Sequence, residues 1–111
     1  MLTVASDIDV LARFGRALAD PIRCRILLAL RQAPAFPADL ADALGISRPR
    51  LSNHLACLRD CGLVITVPDG RRTRYELADE RLGHAVDHLL AAVVAIESDR
   101  TCPDAATKDC C

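Results

Sequence analysis

The stretch Gly45-Ile46-Ser47-Arg48-Pro49-Arg50-Leu51-Ser52-Asn53-His54-Leu55 decides the fold. Glycine ends helices because it tolerates the left-handed conformation. Serine ahead of a periodic apolar run is a helix start. Upstream, Pro37 opens a short helix with Leu40, Ala41 and Leu44 on one face. Downstream, Leu51, Leu55 and Leu58 line the inner face of another, with Gly62 as its stop. Two helices joined by so short a link, Gly45 to Arg48, form a helix-turn-helix, whose second helix enters a major groove.

The period then changes. Leu63-Val64-Ile65-Thr66-Val67 is β-prone, Pro68-Asp69-Gly70 is turn chemistry, and Arg71 to Leu77 returns as a second strand. The result is a hairpin with a basic tip. An ordinary helical hairpin in a bundle has no use for one. The expected fold class is therefore mainly α with a β-hairpin wing: a homodimeric winged helix-turn-helix.

Working outward, Ser6 or Asp7 caps a first helix from about Asp9 to Ala19, with Leu11, Phe14 and Leu18 at helical spacing. Asp20-Pro21 is a cap followed by proline at the first helical position. The second helix carries Ile22, Ile26, Leu27 and Leu30 and ends near Ala33-Pro34. Asp79 or Glu80 starts a last long helix to about Ser98. Its stretch from Leu89 to Ile96 is apolar nearly all round, so it needs cover on several sides. A dimer interface shared with the first helix supplies that. Residues 1–98 read as one DNA-binding and dimerisation domain, and 99–111 as a polar, flexible, cysteine-containing tail.

The chain has 111 residues, 51% of them hydrophobic, which suits one globular domain. Phe14, Phe36 and Tyr75 are its only aromatics, so aliphatic side chains fill the core. No secretory signal is visible, and Leu89 to Ile96 falls far short of the ~20 residues that span a bilayer. The expectation is a cytoplasmic protein with no membrane partner.

The formal net charge of −1 argues on its face against nucleic acid. The distribution reverses that. Between Ser47 and Arg74 lie Arg48, Arg50, Arg59, Arg71, Arg72 and Arg74 against Asp60 and Asp69, a local balance of +4. The remainder carries −5. Local phosphate neutralisation governs affinity, so a basic module in an acidic frame fits double-stranded operator DNA. With Leu51 and Leu55 inward, Arg48, Arg50, Ser52, Asn53 and His54 are groove candidates. Arginine can pair bidentately with guanine and asparagine with adenine. Ser47 both caps the helix and offers a hydroxyl to phosphate. Arg71, Arg72 and Arg74 would hold flanking phosphates or the minor groove. For Arg59 a solvated helix charge, and for His54 a packing histidine, are the competing readings.

Six cysteines are many for this length: Cys24, Cys57, Cys61, Cys102, Cys110 and Cys111. In a reducing cytosol grouped cysteines indicate metal or catalysis before disulfides. Cys57 and Cys61 stand at i,i+4 on one helix face and can chelate one ion. Thiolate-only sites select soft metals. A third thiolate is needed to hold such an ion tightly, and no fourth strong ligand is evident. The competing reading for the pair is helix packing. Arg59 would favour their thiolates only if it points towards them. Cys24, among Ile22, Ile26 and Leu27, reads as core. His84, Asp87, His88 and Glu97 are fragments of a second ligand set at unsuitable spacing. A thiol enzyme lacks support, because Cys-x-x-Cys and βαβ patterns are both absent.

These residues also carry a resemblance. Ala17-Leu18-Ala19-Asp20-Pro21-Ile22-Arg23-Cys24-Arg25-Ile26-Leu27 resembles the LADPTRxRIL opening of the ArsR/SmtB metalloregulators. Leu51 to Val64 resembles their VSxHLxxLxxxGLV helix, and Gly70 to Tyr75 their wing. Cys57, Cys61 and Cys102 resemble the ligands of the cadmium- and lead-sensing repressors in that family. The resemblance implies a homodimeric repressor of a metal-efflux operon that binds an inverted-repeat operator when apo. It implies Cd(II) or Pb(II) as inducer, with Cys102 coming from the other subunit. Pro49 and Arg50 depart from the commoner Ser-Asn, which alters the operator expected. Two rivals keep the fold: As(III) bound by Cys102, Cys110 and Cys111, or a thiol redox sensor.

Overall fold

The computed structural model describes residues 6–99. Its elements run α1 (Asp7–Leu18), α2 (Pro21–Gln32), α3 (Pro37–Leu44), α4 (Arg48–Asp60), β1 (Val64–Asp69), β2 (Arg72–Leu77) and α5 (Glu80–Asp99). This is the expected order of five helices with a two-stranded antiparallel wing before the last.

Side-chain caps set the helix starts. The Ser6 hydroxyl accepts from the Asp9 amide, so α1 begins at Asp7, two residues before the expected Asp9. Asp20 Oδ1 accepts from the amides of Ile22 (2.7 Å) and Arg23 (3.2 Å), with Pro21 in the first turn. Ser47 Oγ accepts from the Arg50 amide at 3.3 Å. Asp79 Oδ1 accepts from the Arg81 amide at 2.8 Å ahead of α5. At the other end of α1, Arg23 donates to the carbonyls of Ala17 (2.9 Å) and Arg16 (2.8 Å), adding to the one bond that Arg16 O accepts from the Ala19 amide at 3.3 Å.

Gly45 closes α3 at φ 69°, and its amide and that of Ile46 both reach back to Ala41 O. A side chain is strained in that conformation, so glycine fixes the turn between α3 and α4.

The wing departs from the expected bounds. β1 runs through Pro68 and Asp69 instead of ending at Val67, and the turn is only Gly70-Arg71. Asp69 pairs with Arg72 across it. Positive φ falls on Gly70 alone, the pattern of a type II′ turn, whose twist matches the strands. A proline is tolerated there because a two-stranded sheet has an open edge along each strand. Ala35, before α3, bridges Tyr75 with two backbone hydrogen bonds, 2.9 and 2.8 Å, so the wing is docked onto the helices.

The core is aliphatic. Ile26, Leu51, Leu55, Leu58 and Val64 are fully buried, with Leu27, Leu30 and Leu40 around them. The inner face of α4 is the expected Leu51/Leu55/Leu58 stripe. On α1 the expectation shifts: Ala17 is buried, Phe14 and Leu18 are half-buried, and Leu11 faces outward. Cys24 is half-buried, and its thiol donates to Leu18 O at 3.0 Å. It lines an apolar cleft between α2 and α5 instead of joining the central cluster. No helix among the described residues is long and apolar enough to cross a membrane.

Candidate nucleic-acid interface and thiol pair

Burial of Leu51 and Leu55 rotates the rest of the α4 N-terminal half outward. Arg48, Pro49, Arg50, Ser52 and Asn53 are all exposed, ahead of an N-terminus capped by Ser47. Two arginines and an asparagine thus share a surface able to donate to base edges. His54 differs: its side chain is only 16% exposed, and Nδ1 lies 3.9 Å from Asp20 Oδ1. It packs against the cap of α2, the competing reading for this residue.

The wing arginines also divide. Arg71 is exposed at the turn. Arg72 lies 3.5 Å from the centroid of the Phe36 ring and 3.8 Å from Asp39. Arg74 is held between Asp69 (3.1 Å) and Glu76 (3.4 Å), which offset its charge. Arg48, Arg71, Arg72 and Thr73 converge on a cleft of about 240 Å³ between the wing and the start of α3. Arg48 of α4 and Arg71 and Arg72 of the wing therefore face one concavity, which suits a phosphate backbone. Phe36 and Asp39 escaped sequence reasoning because their part depends on where the wing docks.

Cys57 and Cys61 sit one helical turn apart at the other end of α4. Cys61 is its C-cap, and its amide donates to Cys57 O at 3.0 Å. Both side chains are half-buried, and the i,i+4 spacing at the end of α4 sets them side by side. Burial pushes the Cys61 thiol up, and the neighbouring Cys57 adds to this through charge and hydrogen bonding. Arg13 and Arg16 of α1 pull in the opposite direction. The cations facing Cys61 thus come from α1; the candidate from sequence was Arg59. Arg13 and Cys61 meet around one cleft between α1 and the end of α4, and no local spacing signals it.

The donor set fits a soft ion: two converging, accessible thiols that ligation would deprotonate. Beside Cys61, a cleft of about 220 Å³ lined by Val10, Leu11, Arg13 and Phe14 leaves an open approach. Among the described residues no group of three metal-binding side chains assembles. Cys102, Cys110 and Cys111 lie outside the described residues, as does all but the first residue of the 99–111 segment. On α5, His84, Asp87 and His88 are exposed, and Asp87 is engaged by Arg31.

α5 presents Leu89, Leu90, Val93, Val94 and Ile96 to solvent, and α1 presents Ile8, Val10 and Leu11. These are large apolar faces without cover in one chain.

Comparison with known proteins places the geometry. The family model described as bacterial regulatory protein, arsR family, matches residues 20–66. The HTH-type transcriptional regulator CmtR of Mycobacterium tuberculosis is 50% identical over 102 residues, covering 92% of this chain and 86% of that one. The solved structure of the cadmium metal-sensor CMTR from Mycobacterium tuberculosis superposes with a TM-score of 0.65 at 50% identity, covering 85% of this chain and 98% of that one. The homodimeric winged helix-turn-helix DNA-binding domain Mb0332 from Mycobacterium bovis superposes with a TM-score of 0.71 at 34% identity, covering 84% and 89%.

Proposed function

The chain belongs to the arsR family of bacterial regulatory proteins, and from that premise we propose that it is a metal-responsive transcriptional repressor. A homodimer binds double-stranded operator DNA when metal-free. Cd(II) or Pb(II), held by Cys57, Cys61 and Cys102, releases it and derepresses metal-resistance genes. The observation that carries this reading is that α4 bears both chemistries. Its first turns expose Arg48, Arg50, Ser52 and Asn53, and its last turn holds the Cys57/Cys61 thiols.

Several further features support it. The apolar faces of α1 and α5 are surfaces a homodimer would cover, and one structural relative is homodimeric. The relatives are transcriptional regulators, not enzymes, and one is a cadmium sensor. Cys57 and Cys61 would hold a soft ion as thiolates, and the ion would supply a cross-link that fixes their orientation. Cys57 and Cys61 give up their protons to form that site, and Arg13 and Arg16 sit where they offset the resulting negative charge. Because Cys57 lies in the last turn of α4 and Cys61 caps it, any ligand that restrains them restrains the reading face. DNA and metal then weaken each other reciprocally, by ~1–3 kcal/mol in typical allosteric proteins.

The deciding experiment is operator binding in chelator, then with cadmium, lead or arsenite, for the unaltered chain and for a Cys57→Ser/Cys61→Ser variant. The proposal expects loss of DNA affinity with cadmium or lead that the double variant does not show. Undiminished affinity at saturating metal overturns it. An arsenite response surviving in the double variant moves the inducer to the tail cysteines.

A further inference from the structure

α5 is carried on a narrow seam. At buried Gly83 it lies against α2: a Cβ built there would stand 3.6 Å from Arg31 Cβ and 3.5 Å from Leu77 Cδ1. One turn on, Asp87 accepts a hydrogen bond from Arg31 Nη1. Val86, between these two, is buried. Either side of this line the packing opens. Towards the wing is a cleft of about 460 Å³ bordered by Ile65, Glu76 and Leu77. On the opposite side is the apolar cleft of about 180 Å³ that Cys24 and Leu90 line. Few layers of side chains therefore fix the angle of α5 against the helix-turn-helix. Arg31 Nε is buried without a hydrogen-bond partner among the described residues, so the guanidinium is committed to this joint through its outer nitrogen.

We propose that Arg31 and Asp87 are a positioning pair, which holds the dimer helix at the angle that sets the separation of the two reading helices. This rests on the homodimeric operator-binding reading above. The geometry makes the pair suited to that role. α2 also packs against α4, so it joins the dimer helix to the reading helix. A small rotation at Gly83 is carried outward along both. Half-sites on B-DNA recur at about 10–10.5 base pairs per turn, so a change in angle appears as a change in preferred spacing. Neither residue faces the concavity between α4 and the wing. The side chains are 24% and 53% exposed, and ion pairs of such exposure contribute little to stability, so variants remain folded.

The test uses the full chain in chelator. Half-sites are first selected from a random duplex pool by the unaltered protein. They are then presented as inverted repeats whose separation is stepped one base pair at a time. The unaltered protein should prefer one separation. Asp87→Ala and Arg31→Met should shift or flatten that preference by about threefold or more, the scale of coupled contacts. Their thermal unfolding and their affinity for a single half-site should be unchanged. The reversed pair, Arg31→Glu with Asp87→Arg, should restore a sharp preference, which a merely structural role would not require. An unchanged spacing profile in both single variants overturns the proposal. Absence of any preference for paired half-sites in the unaltered protein overturns the operator reading, and the role of the pair falls with it.

Discussion

His54 Nδ1 stands 3.9 Å from Asp20 Oδ1, so α4, the helix proposed to read DNA, leans on the carboxylate that caps α2. Asp20 already accepts from two backbone amides. Burial alone would raise its pKa, but the amides of Arg23 and Ile22, with His54 and the Arg23 charge, hold it below the ordinary carboxylate value. Removal of Asp20 orphans two donors, and removal of His54 orphans none. Asp20→Ala should therefore lower the melting temperature more than His54→Ala, as measured by circular dichroism at neutral pH.

The sign of the acid response follows from the same groups. The Arg81 side chain holds Asp79 down to about 2, helped by the Arg81 amide. Both carboxylates have folded values below their unfolded ones. Their contribution is present above the ordinary carboxylate range and is lost as pH falls through the lowered values. The stability difference between the unaltered chain and Asp79→Asn should be constant from pH 5 to pH 7 and shrink towards about pH 2. A difference that grows on acidification contradicts this assignment.

Leu55 is fully buried on the inner face of α4. Leu55→Ala should cost about 2–5 kcal/mol in denaturant unfolding, from lost burial and the cavity left behind. Gly83→Ala should do the reverse. Its new methyl meets Leu77 and Arg31 at ordinary contact distances, and the helix gains about 0.5–1 kcal/mol by losing a glycine.

The wing arginines should separate in a salt titration of operator binding. Arg71 is exposed, whereas Arg74 is held by Asp69 and Glu76. Arg71→Ala should reduce the log–log salt slope by about 1, the loss of one phosphate contact. Arg74→Ala should change the slope by less than Arg71→Ala and should loosen the wing instead.

Cadmium titration followed by thiolate charge-transfer absorption should lose most of its signal in Cys57→Ser and in Cys61→Ser alike. Binding should release protons and strengthen with rising pH, since burial and Cys57 keep the Cys61 thiol protonated. A pH-independent affinity would separate these thiols from the metal.

The helix-turn-helix was legible because its signals are local. Asp20-Pro21, Gly45, Ser47 and the Leu51/Leu55/Leu58 period each act within a turn or two of chain. The wing is legible too, but its turn lies two residues later than Pro68-Asp69-Gly70 suggests: Pro68 reads as punctuation, although an edge strand accommodates it. The partners of His54, Arg72 and Arg74 were not legible. Asp20 and Phe36 approach them only after α2, α3 and the wing have packed. Arg13 and Arg16 reach Cys61 for the same reason. Leu11 looked like core from its spacing, yet periodicity cannot tell a face buried in one chain from one awaiting a second.

The uncovered apolar faces of α1 and α5 also set a mass-action condition. In a homodimer built on them, folding and association form one equilibrium, so apparent stability depends on protein concentration. The melting temperature should rise with each dilution step reversed. If the proposed repressor reading holds, the number of protein molecules would govern operator occupancy alongside the inducer where copies are few, and a modest fall in synthesis would open the promoter without any metal.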